Sequence, residues 1–583
     1  MSTSTTTIDT TSGGTDDGGS GDDAHDAHGS GDHDGAATTS PRTITAVGAL
    51  VGVACAALAL GVAELIAGIV ATWRSPIFSV GERVIDLAPS FVTKFAIEVF
   101  GTNDKTALLV GIGVVLALYA AVVGALAFRR SAVIGAVGFV LFGLIGIAAV
   151  LTSSSSTGLA ATTPIVVGTV LGAAAITAAA RALVDRRGEA GTTTVHPDTG
   201  ATDRADADPD DDQRPWLPRP AGTRRQFFAG AGTAVGVFAL AGGVTGAIGR
   251  TIRSRFSATE SRDSLRLPRP ASPLAPAPAG VDVGVDGIAP FFTPNADFYR
   301  IDTALSVPQV RAEDHRLRVT GMVDRELDLS FDELLRREVV EYDITMTCVS
   351  NVVGGGLVGN ARWLGVRLDD LLRDAGISPD ADQIIGRSVD GYTCGFPVEA
   401  ATDGRDAIVA FGMNGEPLPL EHGFPLRLVV PGLYGYVSAT KWLSEIEVTT
   451  FEDVTQYWVP RGYADRAPIK IQSRIDSVSG FGTLEPAEDG TVAVGGVAWA
   501  QTRGISAVQV RVGDGDWQEA ELGDALNDDT WRQWAYRWTP DSTGRTTVTT
   551  RAVDGDGEVQ PETRSDPLPD GASGWHSVSV TIA

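Results

Sequence analysis

The sequence predicts a multidomain chain: an α-helical membrane bundle, then an α+β domain, then a β-sandwich. Three observations carry this. Long uncharged apolar runs recur between residues 44 and 249, and about 20 such residues cross a bilayer. From about residue 286, short amphipathic helical patterns (FDELLRRE, LDDLLRDAG) alternate with strand-like runs (HRLRVTGMV, PLRLVVPG, WLSEIEVTTF). After about residue 465 only strand-like runs remain (TVAVGGVAWA, AVQVRVGDGDWQEA, WAYRWTP, TTVTTRAVD, HSVSVTIA), separated by Gly/Asp turns.

Composition narrows the function. The 583 residues carry 72 Asp+Glu against 46 Lys+Arg, a net charge of −26. That balance disfavours nucleic acid, whose phosphates need a basic face. Only four basic residues are lysine (Lys94, Lys105, Lys441, Lys470). An acidic, lysine-poor surface suits high salt, where self-repulsion is screened, so a halophilic source is expected. Three cysteines (Cys55, Cys348, Cys394) exclude a disulfide scaffold. No CxxC or CxxCH occurs, which excludes zinc ribbons and c-type haem.

Taken in order, residues 1–42 read as a disordered acidic tail, whose His25, His28 and His33 offer at most a weak metal site. The runs Ile44–Thr72, Thr106–Phe128, Val133–Leu151 and Ile165–Val184 make a four-span membrane domain over 43–187. No histidine falls in a span, so none can hold a haem there by two imidazoles. Glu64 is the main ionisable group inside one, either functional or simply interfacial. An acidic linker (188–222) precedes a fifth span, Phe227–Gly249, within an anchor at 223–250. Its TRRQFFAGAGTAVGVFALAGG reads equally as a twin-arginine export signal or an ordinary span with basic residues on its inner side. No clear cleavage site follows, so a retained anchor is expected. Arg129-Arg130, Arg181, Arg186, Arg187 and Arg224-Arg225 place the N-terminus in the cytoplasm and everything after 250 outside. Arg74, Arg83, Lys94 and Lys105 in the first outer loop count against this. Within a Pro-rich linker at 251–285, the Pro/Ala spacer 262–280 is expected to be extended.

Four stretches of the α+β region carry chemistry: FFTPNADFYRID (291–302), TMTCVSNVVGGGLVGNARWLGVRLDDLL (345–372), GYTCGFP (391–397) and MNGEPLPLEHGFPLRLVVPGLYGYVSATKWLSEIEV (413–448). They resemble the sulfite oxidase family of molybdenum enzymes. The strand-like C-terminal part resembles that family's immunoglobulin-like dimerisation domain. The resemblance covers roughly 286–583 and divides it into a molybdopterin-binding catalytic domain (286–464) and an immunoglobulin-like dimerisation domain (465–583). It implies a molybdenum–molybdopterin cofactor. A soft, oxidisable metal takes thiolate ligands, and the resemblance gives Cys348 the role of metal ligand. It gives Asn295, Arg300, Asn351, Gly435, Ser438 and Lys441 to the pterin and its phosphate, and Tyr392 to the metal's exchangeable oxygen. Cys394, two residues on, is expected to line the pocket from the same strand face.

Sulfite oxidases have an arginine before and a histidine after the asparagine of the first stretch, and arginine pairs after the metal cysteine. Here those positions are Pro294, Ala296, Val352 and Val353. An anion needs fixed cations, so the pocket is expected to be more apolar than a sulfite site, with Arg362 as the candidate remaining charge and catalytic residue. The expected function is two-electron oxygen-atom transfer on a small, sulfur-containing substrate by a membrane-anchored, outward-facing enzyme. The chain has no haem or iron–sulfur ligands of its own, which implies a separate electron partner: a blue copper protein, a cytochrome or a quinone-linked protein. Membrane lipid and a second copy of the chain are the other expected partners. Two alternatives stand beside this: a methionine sulfoxide or other S-oxide reductase, and a non-catalytic membrane-tethered binding module.

Overall fold

The structure, a computed structural model, describes residues 40–583 except 71–72, 89–98, 100–103, 153–157, 186–218, 221–222, 254–256, 479 and 481. The expected acidic linker, apart from Arg219–Pro220, and the tail up to residue 39 with its histidines lie outside the described residues.

Among the described residues, five helices are long and apolar enough to cross a membrane: Pro41–Ile69, Lys105–Arg129, Ala132–Thr152, Leu159–Leu183 and Arg224–Arg253. Each overlies one of the apolar runs. Ser40 starts the first, its Oγ accepting from the Thr43 amide at 3.3 Å, with Pro41 in the first turn, where its missing N–H costs nothing. This helix is the hub. Small residues let neighbouring backbones come close, as in membrane bundles generally. A Cβ on Gly52 would lie 2.2 Å from the Ala120 carbonyl, and one on Gly61 2.0 Å from that of Gly242. The outward faces are apolar: Val110, Leu118, Val137 and Leu240 are each at least 60% exposed, the surface a lipid chain would cover. The loop after the first span folds into the amphipathic helix Pro76–Leu87. At its start the Ser75 hydroxyl donates to Glu64, and Arg253 Nη1 donates to the Trp73 carbonyl at 2.9 Å. Glu64 thus meets this loop at the end of the bundle.

The α+β domain is built on two sheets. One runs Glu416–Pro417, Ile408–Met413, Val358–Arg367, Val340–Thr347, with Arg427–Val429 also paired to Ile408–Met413. The other runs Leu327–Ser330, Arg316–Gly321, Leu443–Thr449, Gln383–Ser388, Thr393–Pro397. Its pair Arg316–Gly321 and Leu443–Thr449 is parallel, joining segments far apart in the chain. Between them lies a core that includes Trp363, Phe396, Phe411, Leu428 and Ile446. The short helices Phe331–Leu335 and Leu368–Ala375 fall on the two amphipathic patterns; a Ser330–Glu333 capping box starts the first.

The C-terminal part is two sheets packed face to face. One contains Gln472–Ile475, Val492–Trp499, Arg532–Trp538 and Glu521–Leu522. The other contains Thr483–Leu484, His576–Ile582, Gly544–Asp554, Ile505–Val512 and Gln518–Glu519. Val494, Val508, Trp534, Val548 and Val580 from both sheets share one core. The sandwich also closes the open edge of Val340–Thr347, an edge that would otherwise expose unpaired backbone groups. The Thr345 amide donates to the Asp529 carbonyl (3.0 Å), Gln501 Nε2 to the Thr345 carbonyl (2.8 Å) and Asn527 Nδ2 to the Asp343 carbonyl (3.0 Å). Within the Pro-rich linker, residues 265–278 form no helix or strand and are pinned down, while Thr259–Ser264 is a short helix and Ala279–Val281 a 3-10 turn. The Ala271 amide donates to the Val339 carbonyl (2.8 Å) and the Asp524 amide to that of Gly280 (2.7 Å).

Candidate functional site

The strand Val340–Thr347 delivers Cys348 into a tight loop. The Cys348 amide donates to the Leu357 carbonyl (2.9 Å) and the Asn351 amide to the Cys348 carbonyl (3.0 Å). Asn351 Oδ1 accepts from the Leu357 amide at 2.8 Å, while its buried Nδ2 has no protein partner. Gly354, at φ +78°, leaves no room for a side chain: a Cβ would lie 2.3 Å from His576 Nε2. Arg474 Nη1 donates to the Gly355 carbonyl at 2.9 Å. The sandwich domain, through Arg474 and His576, therefore braces this loop.

Cys348 is 7% exposed, and burial pushes its thiol above the ordinary range. Four tyrosines lie near enough to feel a thiolate formed there: Tyr299, Tyr392, Tyr434 and Tyr463. The Tyr392 hydroxyl donates to the Tyr436 carbonyl at 2.9 Å. Its ring begins a chain of aromatic neighbours through Tyr457, Trp458 and Tyr463 to Tyr436, with centroids 5.2–5.6 Å apart. Val352 beside the loop is 50% exposed and Val353 buried, so the positions occupied by arginines in sulfite oxidases are apolar here.

Beside this pocket lies a cluster of cations. Arg427 begins the strand Arg427–Val429 and is 4% exposed. Among the described residues it has no carboxylate partner: Nη1 donates to the His422 carbonyl (3.1 Å), Nη2 meets Met346 Sδ (3.5 Å), and the guanidinium sits 4.9 Å over Trp363. Burial pushes it down to about 10. Lys441 forms a backbone bridge with Arg427. Gly423, at φ +112°, makes their approach possible, since a Cβ there would lie 3.0 Å from Lys441 Cβ and 3.2 Å from Arg427 Cβ. Lys441 Nζ donates to Asp302 Oδ2 (2.8 Å) and the Glu421 carbonyl (3.1 Å). Burial lowers this ammonium to about 8 despite Asp302, with Arg427 and Arg300 adding repulsion. Asp302, though buried, is held well below the usual carboxylate range by Lys441 and Lys105. Arg300 Nε also donates to its Oδ2 (3.0 Å). His422 Nε2 donates to the Asn295 carbonyl (3.0 Å); burial, then Arg427, lowers it to about 4, so it is neutral at pH 7.

Most of the expected residues converge. Cys348, Asn351 and Tyr392 share the pocket, and Arg300 and Lys441 share Asp302. Gly435 opens the turn Gly435–Ser438 beside Thr347 and the Tyr299 hydroxyl, each 3.8 Å from where its Cβ would be. The Ser438 hydroxyl turns back to the Leu433 and Tyr434 carbonyls (3.2 and 3.1 Å). Asn295 spends its amide on Glu416 (2.6 Å) and the Met413 carbonyl (3.2 Å), and touches the cluster through its backbone. Arg362 needs correction as a pocket charge. It forms a bidentate pair with Asp343 (both 2.8 Å) and donates to the Ala275 carbonyl (2.9 Å), so its charge is neutralised while it clamps the Pro-rich strap. Cys394 sits in the core, 2.6 Å from Thr440 Oγ1. Tyr299, Asp302, His422 and Arg427 were missed, although HGFPLR and DFYRID contain them. An arginine inside an apolar run was the available signal.

The residues present fit a large anionic cofactor. Arg300 and Lys441 share one carboxylate, Asp302, with Lys105, Arg427 beside them is paired with none among the described residues, and a buried amide of Asn351 lacks a partner there. Among the described residues no three His, Cys, Asp or Glu cluster as a metal site. A metal at Cys348 would therefore take its remaining ligands from the cofactor.

Comparisons with known proteins agree. A family model described as the oxidoreductase molybdopterin binding domain matches residues 304–458. The chain is 32% identical over 321 residues to the mitochondrial sulfite oxidase of Drosophila melanogaster, covering 47% of this chain and 56% of that protein. It is 36% identical over 147 residues to the uncharacterized oxidoreductase YuiH of Bacillus subtilis, covering 25% of this chain and 71% of that one. The crystal structure of the sulfane dehydrogenase SoxCD from Paracoccus pantotrophus aligns over 50% of this chain and 81% of its own, at 23% identity and TM-score 0.41. The fold and site thus define a molybdopterin-binding oxidoreductase. The chain belongs to the sulfite oxidase-like family of these enzymes, while spanning less than two thirds of the fruit-fly relative.

Proposed function

We propose that this protein is a membrane-anchored, outward-facing molybdopterin oxidoreductase that transfers an oxygen atom, with two electrons, between a small substrate and its metal centre. The observation that carries this is the buried Cys348 loop set beside a cation cluster with more positive charge than Asp302 offsets. The bound cofactor would supply the redox-active metal and its exchangeable oxygen. The chain's own residues do the rest. Cys348 would ligate as thiolate; burial opposes its ionisation, so metal binding must drive off the proton. Arg300, Arg427 and Lys441 hold the anionic end of the cofactor, and Asn351 Nδ2 donates to it. The Tyr299 hydroxyl is a donor for substrate oxygen, and the Tyr392 hydroxyl becomes one on leaving the Tyr436 carbonyl it now holds.

Val352, Val353 and the five linked aromatic rings favour a neutral, sulfur-containing substrate over sulfite, which keeps S-oxide reduction as the second reading. Five spans with arginines clustered at one face support outward placement of the catalytic domain. The acidic, lysine-poor composition supports a high-salt setting. The immunoglobulin-like reading of the sandwich supports dimerisation through that domain. Electrons would pass singly to a separate blue copper protein, cytochrome or quinone-linked partner. Elemental mass spectrometry of protein from a molybdenum-competent host should find near-stoichiometric molybdenum, lost in Cys348→Ser. Metal-free, folded parent protein would leave the tethered binding module as the reading.

A further inference from the structure

The membrane part touches the catalytic domain at the cation cluster. Lys105, in the first turn of the second span, reaches over Asp302. Its Nζ donates to Asp302 Oδ1 (2.7 Å), to the Asp302 carbonyl (3.0 Å) and to the Ala304 carbonyl (2.7 Å). The other oxygen of the same carboxylate, Oδ2, is the one held by Lys441 (2.8 Å) and Arg300 (3.0 Å). The Asp302 side chain is 3% exposed, against 31% for Lys105 and 10% for Lys441. Two further contacts flank this one. Arg74 Nη2 donates to the Val389 carbonyl at 3.4 Å, three residues before Tyr392. A Cβ on Gly81, in the amphipathic helix, would lie 2.6 Å from Leu305 Cδ1, so that helix sits against the segment carrying Asp302.

We infer that Lys105 is a positioning residue for the cofactor: by taking Oδ1 of Asp302, the membrane domain leaves Lys441 and Arg300 under-neutralised and so able to bind the cofactor's anionic end. The charge arithmetic supports this. A single carboxylate that also serves Lys105 cannot fully neutralise both Lys441 and Arg300. Without Lys105, both oxygens would serve the two cluster cations, and a second anion would gain less there. A charge-assisted hydrogen bond in a dry site is strong and short-ranged, so one ammonium at 2.7 Å can set this balance. The bundle is thereby part of the cofactor site, and loading depends on its seating.

This rests on the reading of Lys441 as a cofactor-binding cation, and the test separates the two. Full-length Lys105→Met, Lys105→Arg and Lys441→Met proteins would be purified from a molybdenum-competent host. Molybdenum and released pterin would be quantified in each, together with the rate of pterin release as salt rises. The inference expects at least a threefold loss of cofactor in Lys105→Met, release that quickens more steeply with salt, and recovery in Lys105→Arg. If Lys105→Met keeps its cofactor and parental salt dependence while Lys441→Met loses it, the positioning role is overturned and the cation reading stands. If Lys441→Met also keeps it, the cation reading falls. If Lys105→Arg behaves as Lys105→Met, packing rather than charge is responsible and the inference is overturned. Thermal unfolding of each cofactor-free protein identifies a variant that merely fails to fold.

Discussion

Arg427→Met should separate stability from cofactor binding. The arginine is buried without a carboxylate, and burial lowers it to about 10. Relative to an ordinary guanidinium near 12.5, at about 1.4 kcal/mol per unit, its charged form is strained by about 3 kcal/mol. The Trp363 face returns about 1 to 2 kcal/mol and the hydrogen bond to the His422 carbonyl about 1 kcal/mol. Methionine fills similar space beside Met346 without a charge. The cofactor-free variant should therefore be as stable as the parent or up to about 1 kcal/mol better, a rise in melting temperature of no more than about 4 °C. Its cofactor content should fall at least tenfold, since a hydrogen bond from a charged donor contributes about 1.5 to 3 kcal/mol. Thermal unfolding of protein from a pterin-deficient host and pterin content from a competent one give the two readouts. A variant that melts well below the parent, yet carries full cofactor, would refute the argument that this charge is kept for an anion.

Acid should destabilise the fold below pH 6.5. His315, His422 and His576 are each lowered to about 4, first by burial. Each is neutral when folded and charged when unfolded below its ordinary pKa, so its stabilisation is complete above about 6.5 and is lost as pH falls towards 4. Each contributes up to about 1.4 kcal/mol per pH unit in that window; a flat melting temperature between pH 6.5 and 5 would contradict this. Gly354→Ala should lower the melting temperature and cofactor content together, because left-handed backbone costs a non-glycine about 1 to 2 kcal/mol before the clash with His576 is counted. Gly61→Val should unseat the fifth helix from the first, since its Cβ would lie 2.0 Å from the Gly242 carbonyl; unchanged unfolding in detergent would count against the bundle's packing.

What was legible in the sequence follows from how local each signal is. The five long apolar helices were readable to within a few residues because apolar length is a property of consecutive residues. The capped helix at Phe331 and the alternating strands of the sandwich are local in the same way. Cys348 was readable through the motif that surrounds it. Arg300 and Lys441 of the cation cluster were named through their motifs, but Arg427, Asp302 and the charge balance were not, because that balance belongs to no single stretch. Arg427 in PLRLVV looks like an outward strand residue until the bridge to Lys441 and the face of Trp363 enclose it. Arg362 shows the converse. In GNARWLG it looked free to serve a substrate, but Asp343, directly opposite in the adjacent strand, takes its charge. Asp302 joins both lessons, since its partners come from residues 105, 300 and 441. Sequence alone supplies the count of arginines and lysines; only the fold shows which of them lack an acid. Arg427 keeps its charge in a dry position with no carboxylate beside it, a costly arrangement that persists where an anion is to be bound.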